Sequence, residues 1–486
     1  MAINADVIQR RDVEKKVVVN CKHDKECSGC VTKLDEPSLL DTEVIESAKE
    51  FFASKSIKAN CAIPDGKDSV FSVVQPTSSA SWRTHAKLAA APAHPFLGGV
   101  KFGLYKARSH EVIPIPDCVV HHPAINEAME VLAGASKKTK VTAYCDPVAV
   151  SQKKKGKKGG GRGGGGGGKG GGGSHGNLKG GEGMLRYVQM SVERSTGKVS
   201  CSLVWNASEY KHTQPALSRL VKEMKRINPS IWHSIWVHCN DSNGNAIFSK
   251  ATGKWDKVVG MEYLTEKMLV GGKAAAGSGG ASKLYFTPKV FRQGNIDGFE
   301  IIAKTVGDIV KSKKGKKVCE LYAGVGLIGL SMWNNQAGSK QQFEWLRCSD
   351  SNPHNLPCFE RARGSIEAKN GDGRGSLKGK ISYRVASASE ALSAGDCVGA
   401  DTLIVDPPRS GLDEETLGHL CEGRMYSEVM GDLNTLLYVS CGFKALTNDL
   451  DSLLGGKGGW KLEKAVGYVL FPGSNHIETL CVLTRK

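Results

Sequence analysis

Three stretches near the C-terminus place reactive side chains where apolar runs end. Ile404-Val405-Asp406-Pro407-Pro408-Arg409-Ser410-Gly411-Leu412 closes one such run with a carboxylate followed by two prolines. Proline fixes φ and removes a backbone donor, so the pair sets the path of the chain just past the strand. LLYVSCG delivers Cys441 in the same way, and FPGSNHIE brings His476 and Glu478 to the start of the final apolar run. A thiol and a carboxylate meeting at one sheet edge suit covalent catalysis, with the thiolate attacking and a base removing a proton later. A cysteine in this setting also serves as a small packed hydrophobe. Its place beside the Asp406 crevice favours the nucleophile.

Upstream, Glu320-Leu321-Tyr322-Ala323-Gly324-Val325-Gly326-Leu327-Ile328-Gly329 ends a strand in glycines. Glycines there let the backbone approach a ligand, although a tight strand–helix turn accounts for them equally well. The next strand ends at Asp350, placed to hold the ribose hydroxyls of a nucleoside cofactor. Gly324, Gly326 and Gly329 have the G-x-G-x-x-G spacing of a nucleotide-binding turn, and no Lys-Ser/Thr phosphate loop is present. An S-adenosylmethionine site is the expectation, ahead of a dinucleotide or nucleoside triphosphate site. Asp406 is aimed into the same crevice. Amino-directed nucleic-acid methyltransferases follow Asp-Pro-Pro with an aromatic residue that stacks on the base. Arg409 stands there instead, which argues against transfer to an exocyclic nitrogen.

A second cluster lies far from these residues. Cys21-x5-Cys27-x2-Cys30 groups three thiols within ten residues, and Cys118 follows in PIPDCVVHHP. Thiolates, commonly four, hold iron–sulfur clusters. A zinc knuckle is the alternative, although structural zinc more often has two paired C-x2–4-C halves. No C-x3-C-x2-C radical-enzyme triad is present.

The elements that position these groups change in texture along the chain. Val44, Ile45, Ala48, Phe51 and Phe52 recur at helical spacing over 41–57, after Asp41 as a cap. Residues 70–120 alternate as strands do, and strand patterns resume at 185–193, 199–205 and 234–241. From about 299, apolar strands alternate with helical stretches, which indicates an α/β fold with an open, mainly parallel sheet. The expected organisation is an N-terminal cysteine segment over 1–69, with Cys118 supplied by the next unit. A β-rich central domain over 70–290 and a Rossmann-like catalytic domain over 291–486 follow.

The charge is uneven. Lys plus Arg number 66 against 49 Asp plus Glu, a net +17 that favours an anionic partner, nucleic acid first. Residues 151–183 alone hold eight Lys or Arg, one Glu and 18 of the 59 glycines, so this insertion reads as a flexible loop within the central domain. No apolar run is long enough to span a membrane, and MAINADVIQRRDVEKKVVVN does not read as a secretory signal. Fifteen cysteines scattered through apolar contexts indicate reduced or metal-bound thiols inside a cell. A soluble intracellular monomer is expected, in the cytoplasm or an organelle.

Several ordered motifs together resemble the RNA 5-methyluridine (uracil-C5) methyltransferase family over most of the chain. They are Phe291-Arg292-Gln293-Gly294-Asn295, Leu321-Tyr322-Ala323-Gly324-Val325-Gly326, Asp406-Pro407-Pro408-Arg409-x-Gly411, Ser440-Cys441 and Phe471-Pro472-x3-His476-x-Glu478. The resemblance implies an S-adenosylmethionine-dependent enzyme acting on RNA. Cys441 would be the nucleophile and Glu478 the base, with Gln293, Tyr322, Gly324, Gly326, Asp350 and Asp406 around the cofactor. A subset of the family, the 23S rRNA branch, carries a [4Fe–4S] cluster on a three-plus-one cysteine pattern. That implies Cys21, Cys27, Cys30 and Cys118 as ligands in a structural role, and rRNA as substrate ahead of tRNA. The target uridine must be unpaired or flipped to be reached. A non-catalytic RNA-binding or ribosome-assembly factor that kept the fold is the competing expectation.

The chain departs from the family twice. Relatives usually continue as Cys-Asn-Pro-x-Thr, whereas this chain reads Cys441-Gly442-Phe443-Lys444-Ala445, and Ser387 stands where an acidic or amide residue often follows the third strand. Only twenty residues precede Cys21, so the small OB-like RNA-binding domain of some relatives is not expected here.

Overall fold

The computed structural model describes residues 21–31 apart from 24, 39–58, 70–75, 78–94, 98–145, 183–242, 246–268 apart from 250 and 252, 282–334, 343–369, 377–422 and 432–485. The insertion expected at 151–183 lies outside the described residues except for its last position.

Helix α1 (Glu43–Lys58) follows the apolar spacing of the sequence, burying Ile45, Ala48 and Phe52 along one face. Phe52 stacks on Phe71, with ring centroids 4.8 Å apart. Phe71 opens strand β1 (Phe71–Val74), which does not enter the central sheet. It pairs in parallel with the C-terminal region, Phe71 opposite Ala465.

Strands β2 (His85–Pro92), β3 (Val100–Tyr105), β4 (Val112–Pro114), β5 (Leu185–Val192), β6 (Val199–Trp205), β7 (Trp232–Cys239) and β8 (Trp255–Gly260) form a seven-stranded sheet in the order β4-β3-β2-β5-β6-β7-β8. All neighbours are antiparallel except β6 and β7. Those two are joined by a crossover through helix α3 (Ala216–Ile227), as parallel strands require. With α2 (Pro123–Thr139), α3 forms one apolar core with one side of the sheet. Ile125, Leu132, Leu217 and Leu220 cluster with Val188, Met190, Leu203 and Ile235. The alternate residues Gln189, Ser191, Ser200 and Ser202 belong to the other side. The region expected to be β-rich thus carries two helices that its strand alternation did not announce.

A two-stranded antiparallel ribbon, β9 (Leu264–Met268) with β10 (Ser282–Phe286), leads into helix α4 (Ile296–Ser312). Strands β11 (Lys317–Leu321), β12 (Trp345–Asp350), β13 (Ile381–Val385), β14 (Thr402–Val405), β15 (Thr435–Ser440), β16 (Lys461–Tyr468) and β17 (Glu478–Thr484) follow. Between them run α5 (Leu327–Asn334), α6 (Asn355–Lys369), α7 (Ala388–Ser393), α8 (Glu414–Cys421) and α9 (Phe443–Gly455). With β1 they build an eight-stranded sheet in the order β1-β16-β17-β15-β14-β11-β12-β13, in which only β17 runs antiparallel to its neighbours. Separate apolar cores cover its two faces, one with α4, α5 and α6, the other with α1, α7, α8 and α9. This is the α/β, Rossmann-like architecture expected. The strand order reverses between β11 and β14, and in such sheets ligands bind where the strand ends diverge.

Candidate active site

The topology brings the reactive residues to that divergence. Asp406 follows β14 and the glycine turn follows β11, the two strands at the reversal. Cys441 leaves β15, the next strand along. Because β17 is antiparallel to β15, its start lies at the same edge, and the pairing of Ser440 with Thr479 sets Cys441 across from Glu478. Register, more than sequence proximity, assembles the pair.

Charge in this edge is held in check by burial. Glu478 is 2% exposed. Burial and the neighbouring Asp406 push its carboxyl well above the ordinary range, with Arg409 opposing. Burial raises Asp406 to about 7. The Cys441 thiol rises to about 11 through burial, Glu478 and Asp406, against the Arg409 guanidinium, which donates a hydrogen bond to it. At neutral pH this burial leaves the Glu478 carboxyl protonated and Asp406 near its midpoint. His476 is depressed by burial and by Arg409, so it stays neutral there.

The glycine turn separates two requirements. Tyr322, Gly324 and Gly326 all have positive φ (57°, 56° and 78°). A Cβ on Gly324 would meet nothing within 4 Å, whereas one on Gly326 would lie 2.6 Å from the Phe359 ring. Gly324 therefore borders open space, and Gly326 is demanded by packing. Asp350 accepts the Gly324 N–H at 3.0 Å and the Asn352 N–H at 2.8 Å, and the Tyr383 hydroxyl donates to the Gly324 carbonyl at 2.8 Å. Tyr322 turns its hydroxyl to Asp413 at 2.6 Å, at the N-terminus of α8. Ser387, the second departure, caps α7: its hydroxyl accepts the Glu390 N–H while Glu390 accepts the Ser387 N–H at 2.7 Å.

Residues 291–295 form the joint between the two sheets. Arg292 donates to the Thr84 and Val192 carbonyls at 2.9 and 2.7 Å and pairs with buried Glu266. Gln293 is buried beside it at 8% exposure. Asn295 caps α4 by accepting the Gly298 N–H at 2.9 Å, and donates to the Leu470 carbonyl at 2.8 Å. It thereby holds the turn that carries His476.

The four cysteines of the distant cluster are drawn together. Cys30 lies near enough to Cys118, Cys21 and Cys27 for each to raise its thiol, which reaches about 11 with burial the largest cause. Asp117 fastens the two segments, pairing with His23 at 2.6 Å and Lys22 at 3.1 Å. Cys27 accepts the Gly29 N–H at 3.3 Å, and Cys118 accepts backbone N–H groups of Val120 and His121. Among the described residues, no group of three or more His, Cys, Asp or Glu is arranged to hold a metal ion. The segment also touches the active-site turn, Val31 donating to the Gly473 carbonyl at 2.7 Å.

Two site residues escaped the sequence. Arg83 lies over the Trp82 ring at 4.6 Å and between Cys30, Cys118 and Arg409. Asp449 on α9 accepts the Leu412 N–H at 2.9 Å and the Tyr438 hydroxyl at 2.7 Å, anchoring the Asp406–Leu412 loop. Arg83 stood in an unremarkable strand approach, and Asp449 looked like one more helix carboxylate.

Known proteins resemble this chain in sequence and in fold. Residues 396–486 match the model of the tRNA (uracil-5-)-methyltransferase family. An RNA methyltransferase of Protochlamydia amoebophila is 32% identical over 474 residues, covering 97% of this chain and 98% of that relative. One from Geobacter sulfurreducens is 23% identical, covering 96% and 77%. Among solved structures, the Pyrococcus abyssi tRNA (uracil-54, C5)-methyltransferase in complex with S-adenosyl-L-homocysteine has the same fold, with a TM-score of 0.58 at 19% identity over 90% of this chain and 83% of that one. The chain belongs to the RNA methyltransferases, and its residues 396–486 carry the uracil-5-methyltransferase pattern.

Proposed function

We propose that this protein converts a uridine of RNA, in rRNA ahead of tRNA, to 5-methyluridine, with Cys441 as nucleophile and Glu478 as base. The observation that carries the reading is the strand register that sets Cys441 across from Glu478, beside Arg409 and at the mouth of the Asp406 crevice.

Carbon 5 of uracil is a weak nucleophile. A Cys441 thiolate adding to carbon 6 forms a carbon–sulfur bond and leaves an enolate whose carbon 5 can take a methyl group. Glu478 as carboxylate then accepts the proton at carbon 5. The electron pair restores the ring double bond, and the carbon–sulfur bond breaks to return the thiolate. S-adenosylmethionine, when bound, supplies an electrophilic methyl group and a positive charge that counters the burial now protonating the site. Open space over Gly324 and the Asp350 carboxylate at its edge suit that ligand. Gln293, Tyr322, Gly326 and Asp406 would complete its surroundings.

Cys21, Cys27, Cys30 and Cys118 would hold a [4Fe–4S] cluster. Four thiols near one another, with backbone N–H groups aimed at Cys27 and Cys118, have the chemistry such a group requires. Its role is structural, bracing the segment that Val31 fastens to the 471–478 turn. The preference for rRNA rests on this cysteine pattern.

RNA containing 5-fluorouridine tests the chemistry, since fluorine at carbon 5 blocks proton removal and traps the adduct. The wild type should form a covalent complex, and Cys441→Ala should form none and lose turnover by at least ~10³-fold. An undiminished adduct in Cys441→Ala overturns the reading. Mapping which 5-methyluridine disappears when the protein is absent decides between rRNA and tRNA. Iron and sulfide analysis after anaerobic purification tests the cluster, and stoichiometric zinc without iron would refute it.

A further inference from the structure

We propose that Gly442 is a positioning residue of the reaction: by lacking a side chain it lets the Arg409 main chain pack against the turn after β15, and so holds the Arg409 guanidinium on the Cys441 thiol. This rests on Cys441 as the nucleophile.

A Cβ at position 442 would lie 2.3 Å from the Arg409 carbonyl oxygen and 3.0 Å from its carbonyl carbon and Cα. The obstructing atoms are main chain, so no flexible side chain can swing away. Gly442 has φ −120° and ψ 82°, and a negative φ does not itself call for glycine. Space is what calls for it.

Neither wall of the contact can easily retreat. On one side, Asp449 pins Leu412, and the Gly411 N–H closes the loop onto the Pro408 carbonyl at 2.9 Å. On the other, Gly442 donates to the Ser440 hydroxyl at 3.2 Å. Phe443, the second half of the departure, meets Phe51 and Phe52 of α1 edge-on at 6.1 and 6.2 Å. A side chain at 442 therefore pushes on the Arg409 main chain, whose exposed side chain reaches the Cys441 thiol. Among the groups facing Cys441, Glu478 and Asp406 disfavour the thiolate and Arg409 favours it. Moving Arg409 removes that favourable charge.

The test is the pH profile of Cys441 alkylation by iodoacetamide in the full-length protein, followed by mass spectrometry of the Cys441 peptide. Gly442→Ala and Arg409→Met should each raise the midpoint by about one pH unit, a roughly tenfold slower reaction at neutral pH. Gly442→Ala in the Arg409→Met background should add nothing. An unchanged midpoint in Gly442→Ala, or a further shift on top of Arg409→Met, overturns the proposal. Should Gly442→Ala not fold, Phe443→Ala decides: freeing the turn should also raise the midpoint, and no change refutes the idea. The readout needs no RNA, so it stands apart from the adduct experiment. An adduct in Cys441→Ala would sink the nucleophile reading whatever the alkylation curves do.

Discussion

The two large sheets are built to different ends. The seven-stranded sheet buries one face against α2 and α3 and keeps polar residues on the other, with a mostly antiparallel ladder whose strands end alternately at both edges. The eight-stranded sheet is covered on both faces, and its parallel strands all finish at one edge. Only the second arrangement gathers several strand ends at one place, which is why Asp406, Cys441 and Glu478 converge there. The first sheet contributes support: Arg83, Cys118 and the strands to which Arg292 is tied. Chemistry follows strand direction, and stability follows layering.

Perturbing each side of this contrast should give separable effects. The largest falls on the reacting edge. Glu478→Gln should lower turnover ~10²–10⁴-fold while the covalent RNA adduct accumulates, with little change in melting temperature. Rapid turnover in that variant would remove Glu478 as the base.

Breaking the joint should do the reverse. Arg292→Met removes one of the two guanidinium partners of buried Glu266, leaving Arg194 at 2.8 Å, and should cost about 1–3 kcal/mol of stability in denaturant titration. If the variant unfolds like the wild type, the joint is not where the sheets are coupled.

A third change acts inside β11. Burial raises Glu320 to about 8, and its carboxyl accepts the Gly329 N–H at 3.0 Å. The folded chain holds this proton after the unfolded chain has released it, so stability falls as pH rises from about 4.5 to about 8. Glu320→Gln should flatten that fall by on the order of 2–4 kcal/mol, as read from melts between pH 5 and 8. A variant whose melting temperature still drops as steeply would place the cost elsewhere. The smallest effect is Ser387→Ala, which removes one half of a capping box and should cost about 1 kcal/mol without altering the adduct. Lost adduct formation there would give Ser387 a role beyond the cap.

These contrasts also explain what could be read in advance. Asp406, Cys441 and Glu478 each border an apolar run with clear punctuation, and a parallel sheet sends such ends to one edge whatever the details of packing. Their mutual register was not legible, because it depends on β17 turning antiparallel between β15 and β16. Helices α2 and α3 were missed because they lie between strongly alternating strands, which drew the whole region into one class. The consequence of Gly442 was hidden for a different reason. The letter announces a missing side chain, but only the folded loop reveals that Arg409 occupies the space.

The pairing of β1 with β16 also bears on how the chain is made. A ribosome delivers Phe71–Val74 early, yet their partners Ala465–Tyr468 emerge near the end of synthesis. Contacts between such distant segments slow folding, because a long loop must close before they reward it. Helix α1 and its strand must therefore wait, with Phe52 and Phe71 exposed, while nearly the entire protein is assembled. That interval is when aggregation threatens most.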